Sequence, residues 1–216
     1  MRAISKALMA VVALATMLGC AGSQKAPAVQ PVWVAPRIDL KQHEMIGIVE
    51  FSSTSRGQLG PLATRRFTES ARRDQGLVRI VEVRPGTEVA RSGAPNRWTP
   101  EMYRALGREN GVETIVTGQL KVSSIRPSIQ VSALLRSGHV SAQVDATLEV
   151  QMIETATGAS IWNGSGSATR TLGNVGVFGG KEFAFDADDP ERAYGDLVGA
   201  LVEQVTRDFH ATWDRR

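Results

Sequence analysis

From Val144 to Met152 the chain alternates without a break. Val144, Ala146, Leu148, Val150 and Met152 are apolar; Asp145, Thr147, Glu149 and Gln151 are polar. A period of two is the period of a β-strand, and it sends the two sets to opposite faces of a sheet. The strand predicted over Val144–Ile153 therefore has one buried face and one wetter face. Glu113–Val122 reads as the strand before it. Glu154-Thr155-Ala156-Thr157-Gly158 supplies hydroxyls and a permissive glycine for a turn, and Ala159-Ser160-Ile161-Trp162 returns as the strand after it.

The segments upstream frame this hairpin. Met45–Phe51 is a nearly continuous apolar run, as expected of a strand inside a sheet, and Ser52–Gly57 reads as a small polar turn. Leu59, Leu62, Ala63, Phe67 and Ala71 recur at helical spacing, which predicts an amphipathic helix from about Gln58 to Asp74. Its outer face holds Arg65, Arg66, Glu69, Arg72 and Arg73, with Glu69 four residues from both Arg65 and Arg73, a solvated and partly paired face. Leu77–Val83 is the next strand and Arg84–Arg97 a loop. Thr99-Pro100-Glu101 opens a second helix with a capping hydroxyl, a first-turn proline and an acid; Asn110-Gly111 closes it. Asp188-Asp189-Pro190 caps a final helix to about Asp214, with Tyr194, Leu197, Val198, Leu201, Val205 and Phe209 as its apolar stripe. The expected fold class is α/β: a single mixed β-sheet flanked by helices, in the order β-α-β-α-β, then a hairpin and a C-terminal helix.

The first residues carry an address. Met1–Lys6 is a short basic stretch, and Ala7–Leu18 is an apolar run of about twelve residues, too short for a spanning helix of ~17–25. It ends in Leu18-Gly19-Cys20-Ala21, and Cys20 is the chain's only cysteine, so no intrachain disulfide can form. This ending resembles the lipobox of bacterial lipoproteins, with Met17 where that box usually has Leu. The resemblance implies a signal peptide over residues 1–19, cleavage before Cys20 and lipidation of Cys20. Ala21, rather than Asp, implies the outer membrane. Residues 20–41 read as a lipidated cysteine and flexible tether, and residues 42–214 as the periplasmic domain. Losing Arg2 and Lys6 with the leader takes the formal charge from +3 to +1. The basic pI of 9.3 is therefore no argument for nucleic acid as a partner.

The opening strand Ile46-Gly47-Ile48-Val49-Glu50-Phe51, the second strand Val78-Arg79-Ile80-Val81-Glu82, the helix-to-strand passage Leu106–Leu120 and the hairpin Ile153–Trp162 come in a telling order. Together with the lipobox they resemble the CsgG/HfaB and LpoB group of envelope lipoproteins, which is similar to the amino-terminal domain of TolB. The resemblance spans roughly residues 42–209. It implies no enzyme and no cofactor. Members serve as secretion or assembly channels for surface fibres, or as activators of penicillin-binding proteins. The implied partners are the outer membrane through the lipid anchor, envelope proteins of a secretion or assembly complex or a peptidoglycan synthase, and further copies of the chain. The first role is the leading expectation, because the tether is short for an activator that must reach the inner membrane.

Two further stretches bear on that role. Ile129, Val131, Ala133 and Leu135 alternate with polar residues, Arg136–His139 can turn, and Val140, Ala142 and Val144 alternate again. This predicts a hairpin in the interruption before the central strand. A second hairpin turns at Gly179-Gly180, with Val175, Val177 and Phe178 before it. In CsgG-like channels two hairpins at similar places build a membrane barrel, which makes Ile129, Val131, Val140, Ala142, Val175, Val177 and Phe178 candidates for contact with membrane or partner. The arms are short for a crossing, which needs ~9–11 residues, so soluble edge hairpins or partner-binding loops are the leading expectation for both stretches.

Catalytic signals are weak. His43, His139 and His210 are scattered and read as surface or loop residues. Asp186, Asp188 and Asp189 lack the glycine and terminal glutamate of a calcium loop and read as a helix cap. Gly179-Gly180-Lys181 lacks the spacing of a phosphate loop. Trp98 and Trp162 read as packing residues, and no metal site is expected.

Overall fold

The computed structural model describes residues 31–84, 98–129, 140–172, 176–178 and 182–215. Cys20, Val131, His139, Val175 and the Gly179-Gly180-Lys181 turn lie outside the described residues. Two units are distinct. In the smaller, strand β1 (Pro31–Val34) pairs with strand β11 (Thr212–Arg215) as a two-stranded ribbon. The larger is the body, Val34–Thr212. The ribbon corrects two expectations. Pro31–Val34, within the stretch read as a tether, forms a strand, and the final helix does not run to Asp214.

The main sheet of the body is mixed, as the element order predicts. Its strands are β2 (Ile46–Ile48), β3 (Ser52–Ser53), β5 (Ile80–Glu82), β6 (Thr114–Ile129), β7 (Val140–Glu154) and β8 (Ser160–Leu172). The order across it is β5-β2-β6-β7-β8, with β3 continuing beside β6. β2 is parallel to both neighbours, and β6, β7 and β8 are antiparallel. Beside it, β4 (Arg56–Gly57), β10 (Glu182–Phe185) and β9 (Gly176–Phe178) make a three-stranded sheet. Short strands thus stand where the Ser52–Gly57 turn was expected.

The predicted interruption between the two central strands is not a separate hairpin. β6 and β7 are one long ladder, paired from Thr114–Glu154 to Ile129–Val140, with a bulge at Ser123. The bulge inserts one residue, so Val122 and Ile125 both belong to the core side even though their spacing breaks the period of two. Ile129 and Val140 pair at the far end of the described ladder, and Val177 and Phe178 pair with Phe183 and Glu182 in β9–β10.

Among the described residues, three helices cover the sheet. Helix α1 (Leu59–Arg72) buries all five residues of its predicted stripe. Helix α2 (Pro100–Asn110) has the expected ends: the Thr99 hydroxyl accepts from the Met102 amide at 3.4 Å, and Gly111 closes it in the left-handed conformation at φ 64°. A side chain there would be strained, so glycine is the natural stop. Helix α3 (Pro190–Val205) begins with the Asp189 carboxylate accepting from the Arg192 amide at 3.1 Å. It ends at Thr206, where a 3-10 turn to Phe209 takes over. Phe209 extends the apolar stripe by one contact although the α-helix has stopped; it packs on Phe67 and Trp162. Among the described residues no helix is long and apolar enough to cross a membrane.

α1 and α3 lie on one face of the sheet over Val116, Leu120, Leu148, Val150 and Met152, all buried. Each such aliphatic burial stabilises by roughly 1.5–3 kcal/mol. α3 also approaches the backbone of β8: a Cβ on Gly166 would stand 2.7 Å from the Leu201 carbonyl oxygen. α2 lies on the opposite face but covers only its base, through Met102, Tyr103, Ala105 and Leu106 against Ile115 and Ile153.

Candidate functional site

α2 stops at the Ile115–Ile153 row, and among the described residues nothing covers the rest of that face. The register stacks polar residues there in rows across β6, β7 and β8: Thr117, Gln151 and Asn163; Gln119, Glu149 and Ser165; Lys121, Thr147 and Ser167; then Ser124, Asp145 and Thr169. This is the wetter face that the alternation from Val144 to Met152 predicts. The rows are tied by side-chain bonds. Lys121 Nζ donates to Glu149 Oε2 at 2.6 Å, and the Thr147 and Ser167 hydroxyls lie 2.9 Å apart. Asp145 accepts from the Ser124 hydroxyl, from Thr169 Oγ1 at 2.7 Å and from Arg126 at 2.6 Å. Those bonds, Ser124's foremost and Thr169's next, hold the Asp145 carboxyl below the usual carboxylate range.

At the base of the face lies a groove of about 550 Å³. Thr117, Gln119, Glu149 and Gln151 form its floor, Glu50 and Ser52–Thr54 one wall, and Trp98 with Tyr103 the other. The two rings stack at 5.2 Å, 15° from parallel. Trp98 thus packs, as expected, and also borders the groove. Burial pushes the Tyr103 hydroxyl up to about 12, so it is neutral throughout the physiological range. The lining offers hydroxyls, primary amides and two carboxylates, Glu50 and the Lys121-paired Glu149, beside an aromatic wall. That is chemistry for hydrogen-bonded recognition of a polar ligand rather than for bond cleavage.

A second cluster has the outline of a catalytic triad. His210 Nδ1 is 3.1 Å from Asp74 Oδ2, and His210 Nε2 is 3.0 Å from Ser70 Oγ. His210 is a loop residue, as expected, but a half-buried one that is tied to α1. Its surroundings argue against hydrolysis. Ser70 is buried, and its hydroxyl is also 2.8 Å from that of Thr206. It lies near the C-terminal end of α1, where unpaired backbone groups are carbonyls, the wrong polarity to hold an oxyanion. The cluster joins α1 to the turn after α3. Beside it the buried Gln75 amide satisfies all its neighbours: Oε1 accepts from the Leu40 amide at 2.9 Å, and Nε2 donates to the carbonyls of Ile38 at 2.8 Å and Phe209 at 2.7 Å. Partners 35 and 134 positions away leave no local sequence signal.

Other residues take the places their surroundings dictate. Arg65 and Arg66 do not pair with Glu69; both reach Glu191 of α3, Arg65 at 2.8 Å. His43 Nδ1 is 2.9 Å from the Thr114 hydroxyl. Trp162 is buried against Phe209, its indole donating to Asp208 at 3.2 Å. Among the described residues no cluster of metal-ligating side chains occurs. Of the candidate membrane or partner residues, Ala142 is 0% exposed in the single chain, on the side of β7 that faces α3.

No family model matches the sequence, and no curated protein does. Solved structures do. The chain is similar to the PelC dodecamer of Paraburkholderia phytofirmans at 10% identity and a TM-score of 0.46, covering 83% of this chain and 96% of that one. It is similar to the C-terminal domain of LpoB from Salmonella enterica at 13% identity and a TM-score of 0.37, covering 63% and 96%. A third likeness is lipoprotein GNA1162 from Neisseria meningitidis, at 14% identity and a TM-score of 0.38, covering 76% and 98%.

Proposed function

We propose that this chain is a non-enzymatic outer-membrane lipoprotein of CsgG-like type, acting in the export or assembly of a surface polymer or envelope complex. Cys20 carries the lipid, and the body faces the periplasm. The open polar face and its groove are the surface on which the polymer or its carrier is held. The hairpin ends at Ile129–Val140 and Val177–Phe178 are proposed as contacts with membrane or partner. The address rests on the Leu18-Gly19-Cys20-Ala21 sequence. The observation that carries the binding role is the long polar face that the described residues leave uncovered beside α2, because it sets hydrogen-bonding groups at fixed spacing on a rigid ladder. The start of β1 at Pro31 favours this role over activation of a peptidoglycan synthase. The chain from Cys20 to β1 can span at most roughly 40 Å, a short reach across the envelope.

Two measurements test the reading. Wild-type protein from its host incorporates labelled palmitate and fractionates with the outer membrane, and Cys20→Ala does neither; an unmodified thiol at residue 20 by intact mass refutes the address. Gln119→Ala with Gln151→Ala, expressed at wild-type level, lowers the surface polymer of the host, whereas an unchanged envelope refutes the binding role.

A further inference from the structure

β8 is the outermost strand of the main sheet. β7 takes one side of it, and among the described residues no strand pairs with the other. Natural sheets blunt such an edge with lysines, prolines, bulges or brevity. β8 has 13 residues. Arg170 is its one charged residue, it has no proline, and its register with β7 is continuous from Trp162 to Leu172.

One contact fixes which backbone groups face outward. The Ser167 amide donates to Gln204 Oε1 at 3.2 Å, and the Ser167 carbonyl accepts from Gln204 Nε2 at 3.0 Å. Ser167 thus points both groups away from β7. Antiparallel alternation extends that direction to Asn163, Ser165, Thr169 and Thr171. The Gln204 carboxamide offers donor and acceptor together, as a peptide group does, and so occupies the place of one residue of a pairing strand.

We propose that this edge pairs with the same edge of a second copy, β8 against β8 and antiparallel, about a twofold axis at Ser167, with the Gln204 carboxamide giving way to the incoming backbone. The edge is complementary to itself. Ser167 meets Ser167 of the second copy, Ser165 meets Thr169, and Asn163 meets Thr171, so small polar groups oppose one another. On the other face Gly166 meets Ala168, and Arg170 meets Gly164, so no like charges are opposed. Next to the edge, a cavity of about 450 Å³ is lined by Arg170, Glu203 and Arg207 among others. A patch holding both signs is complementary to its own twofold image, as an isologous interface requires.

The test uses full-length protein in its native membrane with single cysteines added, since a lipidated Cys20 offers no free thiol. With a short bismaleimide, Ser167→Cys gives a crosslinked dimer. Ser165→Cys alone gives little, and Ser165→Cys combined with Thr169→Cys restores the product. Absence of the Ser167→Cys dimer, or equal yields at 165 and 167, overturns the proposal. Two further variants are read by sedimentation of detergent-solubilised protein. Ser165→Pro removes an outward amide and leaves the β7 ladder bonded, so dimer affinity falls about tenfold or more. Gln204→Ala frees Ser167, so affinity stays or rises; a fall shows that Gln204 is not the group displaced. Should Ser165→Pro fail to fold, the crosslinking pattern alone decides.

Discussion

The two faces of the β6–β7–β8 ladder come from alternate residues of the same strands and differ in what they touch. Leu120 and Leu148 stand opposite each other beneath α1 and α3, both 0% exposed, while their chain neighbours Gln119 and Glu149 stand opposite each other on the open side. A period of two lets nine residues of β7 supply both sets. Stability is concentrated on one face, where each lost aliphatic group leaves a void. The other face is free to vary in chemistry, because exchanging one solvated group for another costs little.

The comparison is broken most severely from the buried side. Leu148→Ala is expected to cost ~2–5 kcal/mol, which for a body of this size lowers Tm by about 5–15 °C. A smaller perturbation tests the seam between β8 and α3. Gly166→Ala puts a Cβ 2.7 Å from the Leu201 carbonyl and is expected to cost ~1–3 kcal/mol as α3 is pushed off the strand. Denaturant titration measures both. An effect of Gly166→Ala below that range would mean that α3 sits farther from the sheet than its contacts imply.

The His210 cluster sharpens the division between fold and function, since it resembles a site and is argued to be a clamp. His210→Ala is expected to lower stability by ~1–2 kcal/mol through lost bonds to Asp74 and Ser70, and to leave the surface polymer of the host unchanged where the protein still accumulates. A loss of polymer at normal protein level would move the cluster into the functional machinery.

The smallest expected effect lies on the polar face. Its bonds, Ser124's first, depress the Asp145 carboxyl. A group whose folded value is depressed lends stability that is present above its unfolded value, near pH ~4, and is lost as pH falls through the folded value. Asp145→Asn should therefore lower stability slightly at neutral pH, by an amount that shrinks as pH falls through the folded value, which flattens the acid limb of a stability–pH profile. A loss at pH 3 as large as that at pH 7 would show that Asp145 acts by something other than its charge.

The sequence was most readable where one physical rule acted alone. The alternation of β7, the stripe of α1 and the Thr99, Pro100 and Gly111 punctuation of α2 all specify their elements locally. The extension of β6 past Val122 was hidden by the bulge at Ser123, which breaks the period while leaving the ladder intact. β8 beyond Trp162 was hidden for another reason. Asn163-Gly164-Ser165-Gly166-Ser167 has little strand propensity; pairing with β7 and close approach of α3 hold it extended. The end of α3 was overrun because Phe209 continues the apolar spacing from a 3-10 turn. The polar half of the site was legible as a wetter face, but not the groove. Its walls at Glu50 and at Trp98 with Tyr103 come from two separated segments, brought beside Gln119 and Gln151 by the parallel pairing of β2 and by α2.

The central claim is that the buried face holds the fold and the open face serves the function. It is tested most directly by the triple variant Gln119→Ala, Glu149→Ala, Gln151→Ala, measured for both Tm and surface polymer in the host, with Leu148→Ala alongside. Three solvated substitutions should leave the variant melting within about 5 °C of the wild type, well above Leu148→Ala, while surface polymer falls to the level of a strain lacking the protein. A triple variant that melts as low as Leu148→Ala, or one that keeps wild-type polymer, would contradict the account.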